Sequence, residues 1–256
     1  MYDLPEIIGA DTNACCHAMI CFELPDGTSV HNDVHSFSAR EFIMGNVEII
    51  RVTEIVAKEF KGLVAKRNKS NLLKQACKKI GMPELERPLR DDNQARWDSL
   101  TDKSNWLEFD ECMGCLADPK KYILNDEYKA ELKHVRDCFW IMYREVFYSD
   151  KKLYHWWSGG KLLKPGRKPP DTPDGYARDP EWPPEYPPSN NDLNILATVA
   201  IFARRCNLRV GFFTFDKDAK LIFDAVRKGL FDNHEGGDLI RNIDLIWGED
   251  LSRWLP

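Results

Sequence analysis

No stretch of this chain approaches the ~18 apolar residues that a membrane-spanning helix needs. No secretory leader is expected either, since Asp3 and Glu6 stand where its positive charges would be. These two absences lead to the expectation of a cytoplasmic protein without membrane partners. A surplus of positive charge is also missing. Lys and Arg number 36 against 41 Asp and Glu, giving a net charge of −5 and a pI near 5.8. An acidic chain is no general polyanion binder, so contact with nucleic acid would have to come from local basic patches. There is no internal repeat. Proline is sparse except in one place: nine of the 15 prolines fall between Pro165 and Pro188, which excludes a regular helix there.

What is present fits a folded domain. The chain has 256 residues, 43 % hydrophobic and 30 % charged, enough for one large domain or one domain carrying a sizeable insertion. Eight cysteines without a leader predict reduced thiols.

The hydrophobic pattern alternates strands and helices at both ends of the chain. Ile7 to Ala10 is a short β-rich run closed by Asp11. Val47 to Val52 predicts a second strand, after which Thr53 can cap a helix with Ile55, Val56, Phe60, Leu63 and Val64 on its apolar stripe. Asp192 opens a further helix through Ile195, Leu196, Val199 and Ala203. Val210 to Phe215 predicts a strand buried on both faces, followed by a helix with Ala219, Ile222, Phe223, Val226 and Leu230 on one side, and Ile243 to Trp247 a last strand. Such alternation implies a parallel α/β sheet, whose sites lie beyond the carboxyl ends of the strands. The middle, about residues 80 to 188, breaks this rhythm with one long helix over Asp126 to Ser149 and a Pro-rich arm. The expectation is one domain, with a core from about 1–79 and 189–256 and an insertion over about 80–188.

Four carboxylates stand where strands and helices would aim them at one place. Asp11 and Asp216 end apolar runs. Glu59 lies on the apolar face of its helix, and Asp192 heads another. Acids that converge repel one another and raise each other's pKa unless a cation lies among them, and hard cations such as Mg²⁺ take oxygen ligands. Singly, each has an ordinary reading: Asp11 and Asp192 as helix N-caps, Asp216 as a turn former, Glu59 as a side chain reaching out from the edge of its stripe.

The ordered set resembles the PIN-domain nucleases. The matching segments are Asp11-Thr12-Asn13 after the first strand, Glu59 in Val-Ala-Lys-Glu-Phe, Asp192 in Asn-Asp-Leu-Asn-Ile-Leu-Ala, and Thr214-Phe215-Asp216-Lys217-Asp218. They cover roughly residues 5 to 79 and 189 to 250. The resemblance implies a three-layer α/β/α sandwich around a mostly parallel sheet, with an Mg²⁺- or Mn²⁺-dependent endonuclease activity, most often on single-stranded RNA. It assigns the metal to Asp11, Glu59, Asp192, Asp216 and Asp218, with Thr12, Asn13 and Thr214 holding the ligands in place. The chain departs from small members in the length of its insertion, so their substrates and partners do not transfer. That length also argues against a toxin of a toxin–antitoxin pair.

Two further features call for a reading. Cys112-Met-Gly-Cys115, with His134 and Cys138 one helical turn apart, has the spacing of zinc ligands, although Cys138 also fits a core position. Two basic tracts offer a substrate surface: one with Lys61, Lys66 and Arg67, the other with Lys152, Lys161 and the pair Trp156-Trp157, whose rings can stack on unpaired bases. A nuclease acting on DNA or on branched structures, and a non-catalytic RNA-binding module working through the Trp-rich insertion, remain alternatives. A homodimer or protein partner would engage the same insertion.

Overall fold

The computed structural model describes residues 3–19, 21–23, 29–31, 35–67, 126–149 and 188–254. Its elements are β1 (Ile7–Ala10), α1 (Thr12–Met19), β2 (Cys21–Glu23), β3 (Ser29–His31), α2 (Ser36–Gly45), β4 (Ile50–Val52), α3 (Glu54–Arg67), α4 (Asp126–Ser149), α5 (Asn190–Cys206), β5 (Val210–Thr214), α6 (Lys217–Arg227), α7 (Glu235–Arg241), β6 (Ile243–Trp247) and a 3-10 turn over Gly248–Arg253. The strands form a four-stranded parallel sheet in the order β4-β1-β5-β6, which makes this an α/β fold. Ile8 pairs with Ile50 on one side of β1 and with Gly211 on the other. β2 and β3 form a separate antiparallel pair, with Phe22 opposite Val30.

The chain divides into two compact units. The first comprises Met1–Glu108, Arg209–Phe215 and Leu245–Pro256. Its core is built on β1, β4 and β5, where Ile8, Ile50, Val52, Phe212 and Phe213 are buried together with Phe42 and Ile43 of α2. The Phe42 ring meets Phe213 edge-on at 5.0 Å between centroids, a favoured geometry for aromatic pairs. All five residues of β5 are buried, as the continuous apolar run predicts for a central parallel strand. Gly211 lies so close to its neighbours that a Cβ there would come within 2.8 Å of Ile246 Cδ1 and 3.0 Å of Pro5 Cγ.

The second unit comprises Phe109–Leu208 and Asp216–Asp244. Here α4 packs against α5, α6 and α7. The buried stripe of α4 is Val135, Cys138, Phe139, Met142 and Tyr143, a spacing of three and four that keeps one face inward. α5 stops where Asn207 adopts the left-handed conformation, φ 50°.

Three sequence expectations need correction. The second strand begins at Ile50, not Val47. Asn46 caps α2 through Nδ2 on the Phe42 carbonyl (2.8 Å), and its own carbonyl accepts from both Ile49 N and Ile50 N, which folds 46–49 into a turn. Leu230 lies beyond the end of α6 and is 57 % exposed, because the chain turns at Lys228 and at Gly229, φ 79°. The thiols are not all reduced: Cys206 is disulfide-bonded, whereas Cys15, Cys16 and Cys138 form no disulfide. The expected helix over 126–149 has the bounds of α4, although Leu132 and Val146 of its predicted stripe are only half-buried. No described helix is long and apolar enough to cross a membrane.

Candidate functional site

In the first unit the sheet delivers Asp11 at the carboxyl end of β1. Its backbone N–H continues the β1–β5 ladder to the Phe213 carbonyl (2.9 Å), and its own carbonyl accepts from Cys15 N to start α1. Its carboxylate is 4 % exposed and held at both oxygens. Oδ1 accepts from Thr12 N (2.6 Å), and Oδ2 accepts from the Thr214 hydroxyl (2.8 Å). Asn13 supports the same corner, its Oδ1 accepting from Phe215 N at 3.1 Å. The Thr12 hydroxyl donates to Glu59 Oε2 at 2.6 Å, so the first residue of α1 orients an acid of α3. Glu59 is half-buried on the inward side of its helix, and Thr53 starts that helix by accepting from Val56 N. Asp11, Thr12, Asn13, Glu59 and Thr214 are thus one hydrogen-bonded network. Burial pushes the Cys15 thiol far above its ordinary range, with Cys16 and Asp11 adding to it. This thiol is therefore no nucleophile.

The second unit holds the other three acids. Asp216 is the N-cap of α6, its carboxylate accepting from Asp218 N at 3.0 Å. Asp192 does not cap α5. Ser189 does, and Asp192 completes a capping box from the third helical position, its Oδ2 accepting from Ser189 N at 2.7 Å. Burial and the charge of Asp192 push the Asp216 carboxyl up to about 6. Asp218 is 5 % exposed and raised well above the ordinary carboxylate range, first by burial and then by Asp216, with Asp192 adding to it. Against that shift works Tyr143 of α4, a fully buried phenol beside the Asp218 carboxyl that favours its charged form. Oδ1 of Asp218 has no hydrogen-bond partner among the described residues.

Two carboxyls raised by burial and by neighbouring acids, one of them with a buried oxygen that no described residue partners, would be relieved by the positive charge of a hard divalent cation and by its demand for oxygen. Among the described residues, the group of three ligand-type side chains whose donor atoms come within 4.8 Å of one another is a different one, His134, Cys138 and Glu235.

Sequence reasoning missed Tyr143 and Ser189. Ser189 was legible as Ser-x-x-Asp at a helix start. Tyr143 carried no local signal beyond its place on the α4 stripe. Of the zinc-type set, His134 and Cys138 lie on α4 with Sγ 3.9 Å from Nε2, but the structure adds Glu235, whose Oε2 is 2.7 Å from His134 Nε2. Cys112 and Cys115 lie outside the described residues. So do Lys152, Trp156, Trp157, Lys161 and the Pro-rich arm up to residue 187, and the side chains of Lys61, Lys66 and Arg67. Compared with protein-family models, curated proteins and solved structures, the chain matches none.

Proposed function

We propose that the chain is a divalent-metal-dependent endonuclease acting on single-stranded RNA, with the PIN-like three-layer arrangement that this activity implies. The observation that carries the reading is the Asp192–Asp216–Asp218 trio, with two carboxyls raised by burial and by their neighbours and an unpartnered buried oxygen on Asp218. Bound Mg²⁺ or Mn²⁺ would lower the pKa of a water and neutralise charge on the phosphoryl group under attack. The chain's own residues hold and orient. Asp216 is fixed by the N–H of Asp218, and Asp192 by Ser189. The resemblance adds Asp11 and Glu59 to the reaction, and both are pre-oriented by the threonine hydroxyls of their own unit. RNA as substrate rests on the resemblance alone.

The test is cleavage of end-labelled single-stranded RNA and DNA with Mg²⁺, Mn²⁺ or EDTA, run beside Asp216→Asn and Asp11→Asn chains. Cutting of RNA that needs metal and disappears in Asp216→Asn supports the reading. Cutting of DNA alone keeps the metal site and changes the substrate. Absence of cutting by the parent chain, with RNA still bound, would leave a binding module in its place.

A further inference from the structure

A second group of ligand-type side chains lies in the second unit and contains no member of the carboxylate trio. His134 and Cys138 are one turn apart on α4, which puts them on one face. Glu235 is the first residue of α7. The next residue, Gly236, lies so close to α4 that a Cβ there would collide with Met142 Sδ. That approach brings the Glu235 carboxylate over His134. The ligand atoms of the three residues all lie within 4.8 Å of one another. Nitrogen, sulfur and oxygen donors together differ from the all-oxygen trio, and thiolate with imidazole selects zinc over magnesium.

We propose that His134 Nε2, Cys138 Sγ and Glu235 Oε2 bind one zinc ion that ties α4 to the start of α7, with water as fourth ligand. With Zn–N and Zn–O near 2.1 Å and Zn–S near 2.3 Å, tetrahedral ligands stand about 3.4 Å apart for N and O and about 3.6 Å for N and S. The observed separations are 2.7 Å between His134 Nε2 and Glu235 Oε2 and 3.9 Å between His134 Nε2 and Cys138 Sγ. Loading therefore opens the first and closes the second by less than about 1 Å, within reach of side-chain torsions. Arg204 keeps its place 3.5 Å from the other oxygen, Oε1, and orients the carboxylate. A surface ion pair accounts for His134 and Glu235. It does not account for a free thiol, 9 % exposed, turned toward the same ring nitrogen.

The full chain, stripped with EDTA and with its disulfide intact, is titrated with Co²⁺ and then with Zn²⁺. One equivalent of Co²⁺ should give a thiolate charge-transfer absorption, which Zn²⁺ abolishes by displacement. Cys138→Ser should remove the band. His134→Gln and Glu235→Gln, at exposed positions where folding is not at stake, should weaken cobalt binding by about 100-fold or more. Asp216→Asn should leave the band in place, which separates this site from the proposed nuclease centre. A missing thiolate band in the parent chain overturns the proposal. So does a band that survives Cys138→Ser, or unchanged affinity in both glutamine variants.

Discussion

The chain has two ways of keeping a buried carboxylate. Asp11 is nearly sealed off, yet each of its oxygens accepts a hydrogen bond, from Thr12 N and from Thr214 Oγ1. Asp218 is buried to the same degree but faces two further acids, with Tyr143 beside it acting to lower its carboxyl. Donors can replace water around a charge; acids cannot. The first arrangement is complete with what the chain supplies. The second is relieved either by a proton or by positive charge from outside, and the proposed cation would supply the latter.

Breaking the second arrangement should have the larger effect on activity. Asp216→Asn should lower metal-dependent cleavage by at least about 100-fold, read as initial rates on labelled RNA; a loss under threefold would remove Asp216 from the reaction. The first arrangement is sharpened by Thr214→Val, which takes away a donor to a buried carboxylate. It should cost about 1–3 kcal/mol, measured by urea unfolding in EDTA, where the proposed cation plays no part. The pH dependence should then separate the two. The Asp216 carboxyl is raised above its unfolded value, so its contribution to stability is full below about pH 4 and is lost as pH climbs to about 6. In EDTA the midpoint of thermal unfolding should fall across that window. Mg²⁺ should offset the fall, and Asp216→Asn should reduce it, leaving the part that the raised Asp218 carboxyl contributes. The smallest effect belongs to Ser189→Ala, which loses the cap of α5 at about 1 kcal/mol and frees Asp192 from its capping box.

Much of the frame was legible in the sequence, for a physical reason. β1, β5, β6 and α4 bury long periodic faces, so their residues announce their structure. α2 was not read, because its start at His35 has no side-chain cap, and its buried positions, Ser36, Ala39, Phe42 and Ile43, mix polar with apolar. The β2–β3 pair is three residues a strand, too short for alternation to show. Within the candidate site, Asp11 and Asp216 stood out because they follow buried strands. Tyr143 did not, since its link to Asp218 joins residues 75 positions apart, and only packing reveals such a pair. Glu235 escaped for the same reason: it comes within reach of His134 across 101 positions.

The capping box at α5 has a consequence for descent. Asp192 has a helix to start as well as any ion to hold, so a lineage that abandoned the reaction would still be under pressure to keep an acceptor there. Asn or Ser would serve. Asp216 is constrained likewise by its cap on α6. Position 218 differs, because the Oδ1 of its side chain satisfies no other group among the described residues. Without the proposed reaction, an apolar residue that fills the same space would remove a buried charge from that position. In a collection of related chains, position 218 would therefore separate working members from silent ones, and positions 192 and 216 would not.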